Sequence, residues 1–139
     1  MKTVDELSSG TSGQTGTIPY ILVVDDETAV RRFAARVLQR EGYGIYEAVD
    51  GVEALEMVQN GAAGVEVVVS DIVMPRLNGV ELMQALAVSR PDLPVLLMTG
   101  YATGALTDLG IAVPCGIVPK PFTAERLVAE VQRCLGSKK

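Results

Sequence analysis

Short apolar runs that end in a polar residue recur four times along the chain. The runs are rich in Val, Ile and Leu, which is typical of strands buried on both faces of a parallel sheet. The polar residues that follow them are Asp25 with Asp26, then Asp71, Thr99 and Lys120. Because the carboxyl ends of parallel strands lie along one edge of a sheet, we expect these side chains to converge on one pocket.

The segments between these runs follow helical periodicity, so strand and helix alternate five times. This alternation predicts an α/β fold in which helices cover both faces of a parallel sheet. The predicted strands span residues 20–24, 45–48, 65–70, 94–99 and 116–118. The predicted helices are one that ends near residue 42 and four that span residues 52–59, 79–89, 101–110 and 124–135.

Apolar residues at helical spacing indicate which helix faces are buried. In the first helix they are Val30, Phe33, Ala34, Val37 and Leu38, and in the last they are Leu127, Val128, Val131 and Leu135. The predicted helix 101–110 is weaker, because it contains Gly104 and an interior glycine costs about 1 kcal/mol relative to alanine. We therefore expect this helix to be short and mobile.

The overall composition favours a single compact domain. The chain has 139 residues, 48% of them hydrophobic, which is enough to bury a sizeable core. Its net charge of −5 disfavours direct binding to nucleic acid, which requires a basic surface. No apolar stretch approaches the roughly 20 residues of a membrane span, and the N-terminus lacks a signal-peptide hydrophobic region. We expect a soluble protein of the cytoplasm with no membrane contact.

The cysteine and histidine content narrows the kinds of catalytic and metal site that the chain could form. The two cysteines, Cys115 and Cys134, have neither a metal-binding spacing nor the pattern of a disulfide framework. We interpret both as ordinary small apolar residues in a reducing compartment. The chain has no histidine, which excludes catalytic triads and metal sites built on histidine. The remaining candidate chemistry is therefore that of three carboxylates, a hydroxyl and an ammonium group, which together suit Mg²⁺ and a phosphoryl group.

Four motifs resemble those of the receiver domain of two-component response regulators. They are VVDDE at 23–27, DIVMP at 71–75 with Asn78 and Gly79 following, MTG at 98–100, and KPF at 120–122. The resemblance runs from about residue 20 to residue 135 and implies a flavodoxin-like (βα)5 doubly wound parallel sheet with strand order 2-1-3-4-5. We accordingly assign residues 19–136 to the receiver domain, residues 1–18 to a flexible N-terminal segment or linker, and residues 137–139 to a tail.

The resemblance assigns the acidic residues to a phosphoacceptor and a metal site. It implies that Asp71 is the nucleophile that becomes an acyl phosphate. It also implies that Asp26 binds Mg²⁺ directly, that Asp25 binds it through water, and that the backbone carbonyl of Val73 is a further ligand. Three carboxylates so close together repel one another, so we expect the pKa of at least one of them to be raised.

The resemblance also assigns the other polar residues and shows one departure. Lys120 would bond a phosphoryl oxygen, and Thr99 would move its hydroxyl toward the phosphate after transfer. The family usually has a cis bond at the position of Lys120–Pro121. It often has Tyr or Phe three residues before the lysine, where this chain has Ile117, so the resemblance does not imply the usual coupling of threonine and aromatic ring. Tyr101 is either a gate near the site or a partly exposed loop residue.

The implied function is phosphorelay signalling. The receiver would accept a phosphoryl group from a histidine kinase or a histidine phosphotransfer protein and switch its partner interactions, including formation of a phosphorylation-dependent homodimer. It would not be an enzyme in the usual sense, although it would catalyse its own phosphorylation and dephosphorylation. Because this chain has no histidine, the donor must lie outside it. Arg32, Arg36 and Arg40 form a basic stripe that is either a solvated face or part of a kinase-docking surface.

Two alternatives remain open. One is a receiver-like module that binds a partner and is never phosphorylated, against which the complete set of site residues argues. The other is a Mg²⁺-dependent phosphatase with an aspartyl nucleophile, of the haloacid-dehalogenase type. In that class the nucleophile follows the first strand and a second Asp comes two residues later, whereas here Asp25 and Asp26 are adjacent.

Overall fold

A computed structural model describes residues 18–62, 64–100 and 115–136 of the chain. Within these ranges the strands are β1 (Tyr20–Val24), β2 (Gly44–Ala48), β3 (Val65–Asp71), β4 (Val95–Thr99) and β5 (Gly116–Pro119). The helices in the same ranges are α1 (Thr28–Arg40), α2 (Gly51–Gln59), α3 (Gly79–Ser89) and α4 (Ala124–Gly136). Among the described residues, none of the helices has the length and hydrophobicity that a membrane-spanning segment needs.

The strands form one parallel sheet in the order β2-β1-β3-β4-β5, which confirms the predicted topology. Val24 at the end of β1 lies beside Ser70, and Asp71 at the end of β3 lies beside Met98. The central strands therefore end at nearly the same level. The residues that follow them lie along one edge of the sheet, as the apolar runs predicted.

Two hydrophobic cores lie on opposite faces of this sheet. Leu22 and Val24 of β1 pack with α2 and α3 on one face, and Ile21 and Val23 pack with α1 and α4 on the other. Successive side chains of a strand point to opposite faces, so burial of both faces requires an unbroken apolar run. All four of these side chains are 0% exposed.

For the predicted elements that lie within the described residues, the bounds agree with the observed ones to within one residue, except at the end of α1. That helix ends at Arg40, and Gly42 follows with a φ of 96° while its amide donates a hydrogen bond to the Gln39 carbonyl at 3.0 Å. Glycine adopts this left-handed conformation without strain, which explains the stop. On the predicted inner face of α1, Phe33 is instead 45% exposed and packs against the ring of Phe122.

The interpretation of the cysteines as separate apolar residues is wrong, because Cys115 and Cys134 form a disulfide. Cys115 directly precedes β5, and Cys134 lies near the end of α4, which returns along β5. Their Cα atoms are 5.7 Å apart, a separation that a disulfide readily spans. Their separation of 19 residues in sequence does not indicate this contact, since it arises from the packing of a helix on a strand.

Several predictions fall outside the described residues. They concern residues 1–17 of the N-terminal segment, the helix 101–110 with Tyr101, and the tail 137–139.

Candidate functional site

Asp71 is the last residue of β3 and is 8% exposed. Its Oδ1 accepts a hydrogen bond from the Ile72 amide at 3.0 Å. The loop after it turns back to the strand end, where the Gly79 amide donates to the Ile72 carbonyl at 2.8 Å. A Cβ on Gly79 would clash with the Asp71 carbonyl, so only glycine permits this close approach. The loop therefore holds Asp71 at the edge of the sheet.

Asp25 and Asp26 follow β1, but their environments differ. Asp25 is 0% exposed, whereas Asp26 is exposed. The Asp25 amide donates to the Ala48 carbonyl of β2 at 3.2 Å, and its Oδ1 accepts from the Glu27 amide at 2.8 Å. Asp25 is therefore fixed by the backbone around it, while the Asp26 carboxylate stays accessible to solvent.

Asp25, Asp26 and Asp71 form what we call the carboxylate cluster. One carboxylate oxygen of each residue lies within 4.8 Å of the corresponding oxygens of the other two. Oxygen atoms grouped in this way, with one carboxylate open to water, suit Mg²⁺, which binds few carboxylates and keeps several waters. The three acidic residues that the sequence predicted at this edge are thus brought together.

Lys120 reaches the carboxylate cluster from the end of β5. Its Nζ lies 3.0 Å from Oδ2 of Asp25 and 3.2 Å from Oδ1 of Asp71. Its backbone amide donates to the Thr99 carbonyl at 2.8 Å. The Lys120–Pro121 bond is cis, as the resemblance implied. The ammonium group therefore bridges two carboxylates whose strands are not neighbours of β5.

The charges in the site perturb one another. Burial and the negative charge of Asp25 raise the pKa of Asp71 above its ordinary value, although Lys120 and the Ile72 amide act in the opposite direction. Burial alone lowers the pKa of Lys120, but its hydrogen bonds and ion pairs with Asp25 and Asp71 outweigh burial and raise it. The expected rise of a carboxylate pKa is found at Asp71, where burial contributes more to it than the repulsion that the sequence predicted. A second cation in this pocket would relieve the remaining repulsion.

Thr99, Val73 and Ile117 are the other residues that the sequence singled out, and they differ in burial. Thr99 is the last residue of β4 and lies one residue beyond Met98, the partner of Asp71 in the sheet, with 2% exposure. Val73 lies in the loop that leaves Asp71 and is 54% exposed. Ile117 in β5 is partly buried and packs against the core beneath α2 and α3. It occupies this position as an ordinary apolar residue of the sheet.

Two arginines contact the loops of the site, although the motifs do not reveal them. Arg31 is 7% exposed and donates a hydrogen bond from Nη1 to the Asp25 carbonyl at 2.9 Å. A signal for its burial does exist, because it lies at helical spacing from buried Ala34 and Ala35. Arg76 has a φ of 70°, and its Nη2 lies 2.8 Å from Oδ2 of Asp50. No pattern in the sequence indicates that pairing across 26 residues.

Comparison with known proteins agrees with this geometry. The family model of the response regulator receiver domain matches residues 21–132. The chain is 40% identical over 116 residues to the sensor kinase CckA of Brucella abortus (strain 2308), covering 83% of this chain and 12% of that protein. It is 39% identical over 118 residues to the response regulator MprA of Mycobacterium sp. (strain KMS), covering 83% of this chain and 50% of that protein.

The solved structures support the same assignment. The receiver domain protein (CheY-like) of Methanospirillum hungatei JF-1 superposes with a TM-score of 0.79 at 27% identity, covering 88% of this chain and 97% of that one. The sequence relatives are longer than the matched region, and the chain spans only half or less of their length. The matched region contains the carboxylate cluster, Lys120 and all five strands except Tyr20, the first residue of β1. The chain therefore belongs to the response regulator receiver domain family and is a receiver domain of two-component systems.

Proposed function

We propose that this receiver accepts a phosphoryl group on Asp71, with Mg²⁺ bound by the carboxylates of Asp26 and Asp71 and by the backbone carbonyl of Val73, and by Asp25 through water. The observation that carries the proposal is the carboxylate cluster, whose oxygens lie within 4.8 Å of one another beside the Lys120 ammonium. A bound divalent cation would supply the charge neutralisation that lets an anionic carboxylate approach an anionic phosphoryl group.

Asp71 suits the role of nucleophile better than the buried Asp25 does. Both carboxylate oxygens of fully buried Asp25 are engaged, one by the Glu27 amide and one by Lys120. Asp71 has its two hydrogen-bonding partners, Ile72 and Lys120, at Oδ1. Among the residues that the structure describes, none donates a hydrogen bond to its Oδ2. This oxygen is therefore available to attack phosphorus.

The transfer forms a bond between a carboxylate oxygen of Asp71 and phosphorus. It breaks the phosphorus–nitrogen bond of a phosphohistidine donor, and the electron pair stays with the imidazole nitrogen. Lys120, already 3.2 Å from Asp71, would shift its hydrogen bond to a phosphoryl oxygen, and the Thr99 hydroxyl would bond another. Attack by water on the acyl phosphate would restore Asp71. The receiver thus catalyses its own phosphorylation and dephosphorylation through positioned charges.

The donor in this proposal is a histidine kinase or a histidine phosphotransfer protein, because the chain itself contains no histidine. The printed names of the relatives, a sensor kinase and a response regulator, both fit a receiver that acts in such an exchange. We place the exchange in the cytoplasm, where kinases have access to ATP, and we assign it to a receiver domain over residues 19–136. Phosphorylation would change the partner interactions of the receiver, including its self-association.

The test is treatment with acetyl phosphate and Mg²⁺, read by intact mass and peptide mapping. The parent protein should gain one phosphoryl group on Asp71, and Asp71→Asn should gain none. Asp50→Asn is the matched control, since Asp50 is a buried aspartate at the same edge of the sheet and should leave phosphorylation unchanged. Phosphate on the Asp71→Asn variant, or mapped to Asp25 or Asp26 in the parent, would overturn the assignment. A parent that takes up no phosphate would instead be a module that only binds partners.

A further inference from the structure

Arg31 is the most deeply buried arginine that the structure describes, and its contacts lead to the cation site. It lies in α1 and is 7% exposed, although arginine is seldom buried unless it is paired. Its Nε donates to Oε1 of Glu47 at 2.9 Å, and its Nη1 donates to the Asp25 carbonyl at 2.9 Å. One guanidinium therefore joins α1, β2 and the loop that carries Asp25 and Asp26.

The Asp25 carbonyl controls the placement of Asp26. That carbonyl and the Asp26 amide belong to the same planar peptide unit, so a hydrogen bond that orients the carbonyl also orients the start of Asp26. The amide and both carboxylate oxygens of Asp25 are engaged by other groups, so Arg31 secures its one remaining polar atom. Asp26 makes no side-chain hydrogen bond to the residues that the structure describes. The direction of its exposed carboxylate therefore depends on its backbone.

We propose that Arg31 is a positioning residue for the cation site, because its hydrogen bond to the Asp25 carbonyl fixes the Asp25–Asp26 peptide and aims the Asp26 carboxylate at the ion. This inference rests on the proposed Mg²⁺ site. Arg31 does not touch the cation or the phosphoryl group. Groups that orient metal ligands from behind typically change affinity by about 10- to 100-fold when they are removed.

The adjacent Arg32 provides a matched control. Its Nε lies 3.4 Å from the same Glu47 oxygen, but its side chain is 59% exposed and it has no hydrogen bond to Asp25. Arg31→Gln and Arg32→Gln thus remove the same charge and one contact to the same carboxylate. Only the first removes the bond to the Asp25 carbonyl. Arg31→Lys keeps the charge near the carboxylate cluster but loses the planar fork that reaches two oxygens at once.

The experiment measures the Mg²⁺ dissociation constant of each variant by calorimetry, with circular dichroism to confirm folding. We expect Arg31→Gln to raise the dissociation constant about tenfold and Arg32→Gln less than twofold. Arg31→Lys should resemble Arg31→Gln, since the geometry and not the charge is decisive. NMR of the metal-free proteins should show shifted amides at Asp26 and Glu27 only in the Arg31 variants.

Three outcomes separate the explanations. A folded Arg31→Gln protein that binds Mg²⁺ within twofold of the parent would overturn the inference and leave the proposed function intact. Full recovery of affinity in Arg31→Lys would also overturn it, because charge alone would then suffice. A parent that binds no Mg²⁺ would contradict the proposed function itself. If Arg31→Gln does not fold, Glu47→Gln tests the same point, since it loosens the anchor of Arg31 and should weaken Mg²⁺ binding measurably.

Discussion

Two buried aspartates lie at the same edge of the sheet, Asp50 at the start of α2 and Asp71 at the end of β3. Their pKa values are shifted in opposite directions. Their exposures are nearly equal, at 6% and 8%. Oδ1 of Asp50 accepts from the Glu53 amide at 2.8 Å, and its Oδ2 accepts from Arg76 at 2.9 Å. The Glu53 amide and Arg76 hold the pKa of Asp50 below its ordinary value against the effect of burial, whereas burial and Asp25 raise that of Asp71.

The comparison shows that hydrogen-bond and ion-pair partners decide whether the effect of burial on a carboxylate is offset. Asp50 caps a helix and forms an ion pair, so its ionised form stabilises the folded state. Asp71 faces another carboxylate and shares one lysine with it, so its ionised form lowers stability. Functional sites commonly contain such local conflicts, because groups that are not fully satisfied remain able to bind a ligand.

The pH dependence of stability follows from the directions of the two pKa shifts. The contribution of Asp50 is present above its unfolded-state pKa and is lost as the pH falls through its lowered folded-state pKa. For Asp71 the sign is opposite, because the folded state takes up the proton before the unfolded state does. The cost of its charge is full above the raised folded-state pKa and fades as the pH falls through it.

The largest effect, on the rate of phosphorylation, should come from removing the Lys120 ammonium group that Asp71 shares with Asp25. We expect Lys120→Gln to slow phosphorylation by acetyl phosphate by two to three orders of magnitude, since positioned charged donors contribute about 10²- to 10³-fold to such reactions. It should also raise the pKa of Asp71 further and leave Asp50 unchanged. A time course by intact mass at fixed Mg²⁺ gives the rate. A rate within twofold of the parent would show that Lys120 has no part in the transfer.

The disulfide provides a comparison with a region away from both aspartates. Reduction of Cys115–Cys134 should lower the free energy of unfolding by about 3 kcal/mol, as expected for a bridge that closes a loop of this size. Urea denaturation with and without dithiothreitol measures this, and a double alanine variant serves as the control. Mg²⁺ affinity should not change. Equal stability in both redox states would show that the bridge contributes nothing to the fold.

Replacement of Asp50 should weaken the fold and spare the site. We expect Asp50→Ala to lower the free energy of unfolding by about 1–2 kcal/mol, because it removes the N-cap of α2 and the ion pair with Arg76. Phosphorylation of the folded fraction should proceed as in the parent. Urea denaturation and intact mass measure the two properties. A stability equal to that of the parent would mean that this carboxylate does not stabilise the helix.

Replacement of a carboxylate of the site should change the free energy of unfolding in the opposite direction and by a smaller amount. In the absence of metal, Asp71→Asn and Asp26→Ala should each be more stable than the parent, by about 1 kcal/mol, because each relieves repulsion in the carboxylate cluster. Millimolar Mg²⁺ should raise the melting temperature of the parent by mass action and that of Asp26→Ala much less. Thermal melts with chelator and with Mg²⁺ test both statements. Lower stability of both variants without metal would contradict a shared pocket.

The sequence predicted the sheet well because each inner strand is buried on both faces. When helices cover both faces of a sheet, every position of an inner strand must be apolar, as at Val67, Val68 and Val69. Such a strand therefore appears in the sequence as an unbroken apolar run. The start of α3 agrees with the prediction, and the structure shows its local cause in the capping box that Asn78 forms with Glu81. The Cys115–Cys134 bridge was not predictable, because it depends on how α4 packs against β5.

The candidate site was predictable to a similar degree and for a related reason. Asp25, Asp26, Asp71 and Lys120 end or follow strands, so the topology alone places them at one edge of the sheet. Arg31 makes its contact through a long side chain that reaches from a helix to a loop, and its partner is a backbone carbonyl. Because every residue type has a backbone carbonyl, the sequence does not indicate such a partner, and only the structure identifies this contact.

The most direct test of the central claim is a pH titration of the aspartate carboxyl carbons by NMR, with and without millimolar Mg²⁺. Without metal, we expect the pKa of Asp71 to lie above the ordinary value for aspartate and that of Asp50 below it. Mg²⁺ should then lower the pKa of Asp71 and shift the signals of Asp25 and Asp26, while Asp50 stays unchanged. If Mg²⁺ leaves Asp71 unmoved, or shifts Asp50 as much as Asp71, these three carboxylates do not form a cation site.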